Sequence, residues 1–196
     1  MQSGGVMTTK TQHYHPLHIA LHWLMALMIP ALFGVGLWMT GLDYYSSWYK
    51  TAPDLHKSFG ILLAILLVSR LVVMRRFGKP AALSSGWQQK AAGIAHALMY
   101  TLLLAIMVSG YLISTADNRG ILVFGLFEVP GFGEFFPEQA DIAGTVHFYL
   151  AWALIVLVVL HAAAALKHHF VDKDNTLKRM LGRRNAAASS IDKTEI

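Results

Sequence analysis

Two histidines, His147 and His161, sit inside residues 142–169, and residues 142–166 contain no Asp, Glu, Lys or Arg. That run is long enough to cross a bilayer as one helix. At ~100° and ~1.5 Å per residue, fourteen residues bring the second imidazole to within ~40° of the first, ~21 Å along the axis. One helix face therefore presents an imidazole near each side of a membrane. A titratable or metal-binding side chain at such depth is a functional feature by default. The plain alternative is a pair of histidines hydrogen-bonded to neighbouring helices.

Three more histidines fall at matching depths in other apolar runs. His56 shares an outer level with His147, and His22 and His96 share an inner level with His161. Two histidines facing each other across a bundle, at two levels, form the ligand set of two b haems, each low-spin iron taking two neutral imidazoles. Zinc is the rival, but a closed zinc site needs about four ligands in one place, and levels ~20 Å apart do not supply them. Spacing leaves open whether His22 or His96 faces His161; His18, one turn before His22, is shallower. Gly60, Gly144, Ala164 and Ala165 lie within about a turn of the candidate ligands. Their small side chains leave room for a porphyrin.

Composition fixes where such a site must live. The 196 residues are 55% hydrophobic and 14% charged, against roughly 25% charged in soluble domains. The apolar excess falls in long runs, as in an integral membrane protein. Absence of cysteine excludes disulfides, thiolate zinc, iron–sulfur clusters and covalent haem attachment. The net charge of +5 comes from basic residues beside the apolar runs. Membrane topology accounts for it, and no nucleic-acid role is implied.

Four spans are expected, at about 17–39, 53–74, 91–113 and 142–169, in one domain covering 1–180. Pro16 suits a first helical turn, and Pro30 should kink the first span. Tyr44, Tyr45, Trp48 and Tyr49 read as an interfacial aromatic belt. The second span is the least apolar. Its uncharged part, 58–69, is too short to cross alone, so Lys57 and Arg70 are expected to snorkel to opposite interfaces. Arg70 could instead pair with a haem propionate. The loop at 75–90 has four cations and no acid. The loop at 114–141 has five acids against Arg119, and its phenylalanines and glycines suggest contact with the membrane surface. This asymmetry puts both termini in the cytoplasm. Residues 181–196 read as a disordered cytoplasmic tail.

Several stretches resemble the bacterial cytochrome b561 family, small four-helix di-haem membrane proteins that include superoxide oxidase. They are HIALHWLMAL in the first span, LHKSFGILL and VSRLVV in the second, and IAHALMYTLLLAI in the third. Asn118-Arg119-Gly120, HAAAALKHHF and KDNTLKRM complete the likeness, which covers about 17–180.

The resemblance implies an all-α bundle enclosing two b haems, with His22 and His161 on the inner haem and His56 and His147 on the outer one. It implies that His96 and His168 lie near a cytoplasmic ubiquinone site, whereas His169 reads as a surface residue. The implied activity is oxidation of superoxide to O2 outside a bacterial inner membrane, with electrons passed to ubiquinone. Arg119 is the candidate for attracting the superoxide anion; the alternative is a loop-structuring residue. The same ligand pattern would serve a cytochrome b subunit that links a partner dehydrogenase or hydrogenase to quinone. It would also serve a reductase running electrons outward. A haem-free transporter or scaffold is the remaining alternative.

Overall fold

Each apolar run becomes a helix whose ends are chemically marked. A computed structural model describes residues 14–78, 80 and 86–182. Helix α1 spans Pro16–Met39, with Pro16 in the first turn and His15 Nδ1 accepting from the Leu17 N–H. It continues through Pro30. Helix α2 spans Thr51–Phe77, with Asp54 in its first turn and Arg75 and Arg76 in its last, matching the helix dipole. Helix α3 spans Trp87–Thr115. Helix α4 spans Gln139–Phe170, with Asp141 at its start and Lys167, His168 and His169 at its end. All four are long and apolar enough to cross a membrane, and the protein is a multi-pass membrane protein. Their outer faces are leucine, valine and aromatic residues, among them Leu27, Leu104 and Val159. That surface suits lipid, not water.

The helices pack as two pairs, α1 with α2 and α3 with α4, with lighter contact between the pairs. Met25, Leu63, Leu67, Leu103 and Leu154 join all four at mid-depth. Leu154 is seven residues from both His147 and His161, so the apolar plug separates the two histidine levels. Lipid tails are as apolar as leucine, so close packing and buried polar links hold such a bundle together.

Two parts of the architecture differ from the expected four helices. The 114–141 loop carries a hairpin, β1 (Ile121–Val123) against β2 (Phe127–Val129), antiparallel with Val123 opposite Phe127. Phe124 and Gly125 both take positive φ, 49° and 74°, as a type I′ turn requires. A phenylalanine is strained there. The Phe124 N–H donates to Ser58 Oγ at 3.0 Å and its ring meets Phe59 edge-on, which fixes the hairpin to α2. Gln139, fully buried, ties the rest of the loop down: Oε1 accepts from the Phe135 N–H and Nε2 donates to the Leu112 carbonyl. The second difference is a short helix α5, Thr176–Met180. The Trp23 indole donates to the Met180 carbonyl at 2.8 Å, docking α5 against α1. Residues 1–13 and 183–196 lie outside the described residues, and with them most of the expected disordered tail.

Arg70 departs from its expected snorkelling position. It is 7% exposed and turns inward, where Nε donates to Tyr100 Oη at 3.0 Å and Nη1 to the His18 carbonyl at 3.1 Å. It links α1, α2 and α3 from inside the bundle. Lys57 stays near the surface, 2.9 Å from Asp54.

Candidate functional site

Helices α2 and α4 each carry chemistry at two depths. On α4, His147, Leu154, His161 and His168 recur every seven residues, so they drift by only ~20° per step on one face. The levels are named here by the ends they lie toward: the hairpin side, and the terminus side bearing α5.

At the hairpin side, His56 from α2 faces His147 from α4, with ring centres 6.3 Å apart and planes at 70°. His147 Nδ1 is 3.0 Å from the Ile106 carbonyl and 3.2 Å from Ser109 Oγ. A carbonyl only accepts, so Nδ1 carries the proton and Nε2 keeps its lone pair for a metal. Two glycines of the other helices back these rings. A Cβ on Gly36 would come within 3.3 Å of His56 Cε1, and one on Gly110 within 3.1 Å of His147 Cε1. A cavity of about 380 Å³ opens beside the pair, lined by both histidines, Gly36, Gly60, Gly110 and Gly144. Lys57 is its one charged lining residue. That volume lies in the range of small-molecule sites.

At the terminus side, His161 from α4 meets two rings: His22 from α1 at 6.5 Å and 76°, and His96 from α3 at 5.1 Å and 69°. His18 is buried one turn from His22 and stacks on Tyr14 at 4.9 Å. His168, two turns beyond His161, has Nδ1 2.9 Å from Asp172 and 3.1 Å from Asp174. Lys167 donates to both oxygens of Asp172, and this holds the carboxyl below its ordinary range. His169 lies against Phe170 and joins neither level.

Arg119 stands apart from both. Its Nε is 3.2 Å from Asp117, its side chain is 85% exposed, and it does not line the cavity. The neighbouring chain crossing is tight, since a Cβ on Gly120 would strike Glu128 and one on Gly131 would strike the Arg119 carbonyl. Among the described residues no three histidines or carboxylates form a group able to hold a metal ion by themselves.

A family model described as prokaryotic cytochrome b561 matches residues 13–183. The chain belongs to the prokaryotic cytochrome b561 family. It is 49% identical over 178 residues to cytochrome b561 homolog 2 of Escherichia coli K12, covering 90% of this chain and 95% of the relative. Cytochrome b561 homolog 1 of the same organism is 30% identical, covering 90% and 97%. A protein of Yersinia pestis named probable superoxide oxidase CybB is 31% identical, covering 87% and 97%. The b561 family is a four-helix membrane bundle that binds haem.

The residues of this cytochrome b561 chain fit that group. With metal–nitrogen bonds of ~2.0 Å and ring centres ~1.1 Å beyond, two imidazoles sharing one iron would have centres ~6.2 Å apart. The His56–His147 and His22–His161 separations, 6.3 and 6.5 Å, match that span. The His96–His161 separation of 5.1 Å is too short for an iron between the rings. Sequence reading missed Gly36, Gly110 and the Ile106 carbonyl, and for Arg70 it left both a snorkelling and an inward position open. The glycines did leave a signal, because glycine inside a helix costs roughly 0.5–1 kcal/mol and is kept for a reason. The carbonyl left none.

Proposed function

We propose that this cytochrome b561 oxidises superoxide at the hairpin side and delivers the electrons to ubiquinone at the terminus side. His56 and His147 hold one b haem, and His22 and His161 a second. The observation that carries this reading is the repetition of the ~6.3 Å imidazole spacing at two depths of one bundle. The two haems supply reversible one-electron iron chemistry at two depths. The family's membrane electron transfer and the Yersinia relative's name support the activity.

The net reaction balances as two superoxide anions losing one electron each and leaving as O2, while one ubiquinone takes two electrons and two protons. The protein's own residues supply orientation and protons. The Ile106 carbonyl fixes the His147 tautomer. The apolar plug around Leu154 keeps water from mid-depth. In this reading His96, beside His161, and His168, between Asp172 and Asp174, deliver protons to the quinone. The basic residues Arg75, Arg76, Lys90, Lys173 and Lys178 at the terminus side support a cytoplasmic position for that side and both termini in a bacterium.

Five acids at 117–141 on the superoxide side favour a second reading, in which a docked dehydrogenase or hydrogenase subunit donates the electrons instead of a diffusing anion. One experiment separates these. Purified protein should show a Soret band and about two haems per chain. Superoxide added with a ubiquinone analogue should yield quinol and O2. Haems that quinol reduces but superoxide does not would leave the second reading; a colourless protein would end both.

A further inference from the structure

Helix α2 repeats the spacing of α4. His56 and Arg70 are fourteen residues apart, as are His147 and His161. Both helices run from the hairpin side to the terminus side. On both, fourteen residues return to the same face within ~40° and ~21 Å along the axis. Arg70 is therefore the α2 counterpart of His161: where α2 offers an imidazole at the hairpin side, it offers a guanidinium at the terminus side.

That guanidinium has no counter-ion among the described residues. It is 7% exposed, and its two hydrogen-bond partners, Tyr100 Oη and the His18 carbonyl, are formally neutral. Its bond to the carbonyl of His18, one turn from His22, sets it beside the terminus-side level. A buried charge is stable only when an opposite charge or a full set of hydrogen bonds compensates it. Arginine never gives up its proton, and its planar fork matches a carboxylate.

We propose that Arg70 is an anion site of the terminus-side level and binds a propionate carboxylate of the haem held by His22 and His161. Tyr100 and the His18 carbonyl hold the fork in place. The hairpin-side level has no such residue on α2, because that face position is taken by the ligand His56. This inference rests on the two-haem reading above but not on superoxide as donor.

The test is a redox titration of purified Arg70→Gln and Arg70→Lys proteins with haem-to-protein ratios, using dithionite and no quinone. Loss of a cation favours the ferric state. Arg70→Gln should therefore make the terminus-side potential more negative, or lower the ratio from about two to about one. The hairpin-side potential should not change. Arg70→Lys keeps the charge but not the fork, and should release the terminus-side haem faster. Wild-type ratios, potentials and release rates in Arg70→Gln would overturn the proposal, and a raised KM for quinone in that protein would assign the guanidinium to the quinone instead. If Arg70→Gln does not accumulate, Arg70→Lys decides alone: faster release supports the proposal and wild-type release overturns it. A wild-type protein without haem would mean that the two-haem reading itself had failed.

Discussion

At the hairpin side, His56 and His147 stand against Gly36 and Gly110 beside a nearly apolar cavity, and the Ile106 carbonyl sets one tautomer. At the terminus side, His22 and His161 share their level with His96 and a buried Arg70, while His18, His168, Asp172 and Asp174 lie within two or three turns. Next to its histidine pair the terminus side carries two further imidazoles, His96 and His18; the hairpin side carries none, its nearest titrating groups being Asp54, Lys57 and Asp141. The difference suits the two half-reactions proposed. Superoxide gives up an electron without a proton, whereas a quinone needs both. A level with spare imidazoles therefore suits the proposed quinone side.

The sharpest way to break this comparison is to remove a ligand from one level only. His147→Ala should lower the haem-to-protein ratio from about two to about one and leave the terminus-side spectrum intact. Retention of two haems would show that the hairpin-side level is not held by His147. The next effect separates two neighbours of His161. His22→Ala should lose the terminus-side haem, because His96, 5.1 Å from His161, is too close for an iron between the rings. His96→Ala should keep both haems and slow quinone reduction by roughly 100-fold, the scale of a lost proton donor. Loss of haem in His96→Ala would exchange the two roles.

Much of this was legible in the chain. Three spans follow from uncharged runs and the second from a shorter one flanked by Lys57 and Arg70, and the helix ends moved by only a few residues. The two levels follow from the fourteen-residue interval between His147 and His161. Spacing along separate helices does not report which of them face each other, so His22 and His96 were equivalent until the bundle placed them 6.5 and 5.1 Å from His161. Arg70 near a helix end reads as a snorkelling cation, yet it found oxygens on two other helices and turned inward. The hairpin escaped notice because its strands are three residues long and its turn uses a phenylalanine where glycine or asparagine is expected. Gly60 and Gly144, singled out for their nearness to His56 and His147, line the cavity, but the glycines that back the rings lie on α1 and α3, which carry no hairpin-side histidine.

A smaller effect concerns how the anion reaches the hairpin side. Both cations are paired, Lys57 with Asp54 and Arg119 with Asp117, but Lys57 lines the cavity next to His56 and Arg119 does not. Lys57→Gln should therefore lower the rate of haem reduction by superoxide by about 10-fold at low salt, and the loss should shrink as salt screens the charge. Arg119→Glu should lower it less. Stopped-flow traces at two ionic strengths check both. A larger loss in Arg119→Glu would return the role to the loop.

The least disruptive variants probe the glycine backing that the terminus side lacks among the described residues. Gly110→Ala puts a methyl 3.1 Å from His147 Cε1 and 3.3 Å from Nδ1, so the ring must move by a few tenths of an ångström. Such a shift works against the Ile106 hydrogen bond, which sets the ring's orientation toward a metal. Haem release from the hairpin side should quicken by about 10-fold, the lower end of what an orienting contact contributes. Gly36→Ala, at 3.3 Å from His56 Cε1, should do less, because a single ring atom has to yield. Gly34→Ala is the control: its Cβ meets nothing within 4 Å and does not line the cavity. That variant should release haem at the wild-type rate. Equal release rates in all three would mean that the glycines do not hold the hairpin-side rings, and the contrast between the levels would then rest on their titrating groups alone.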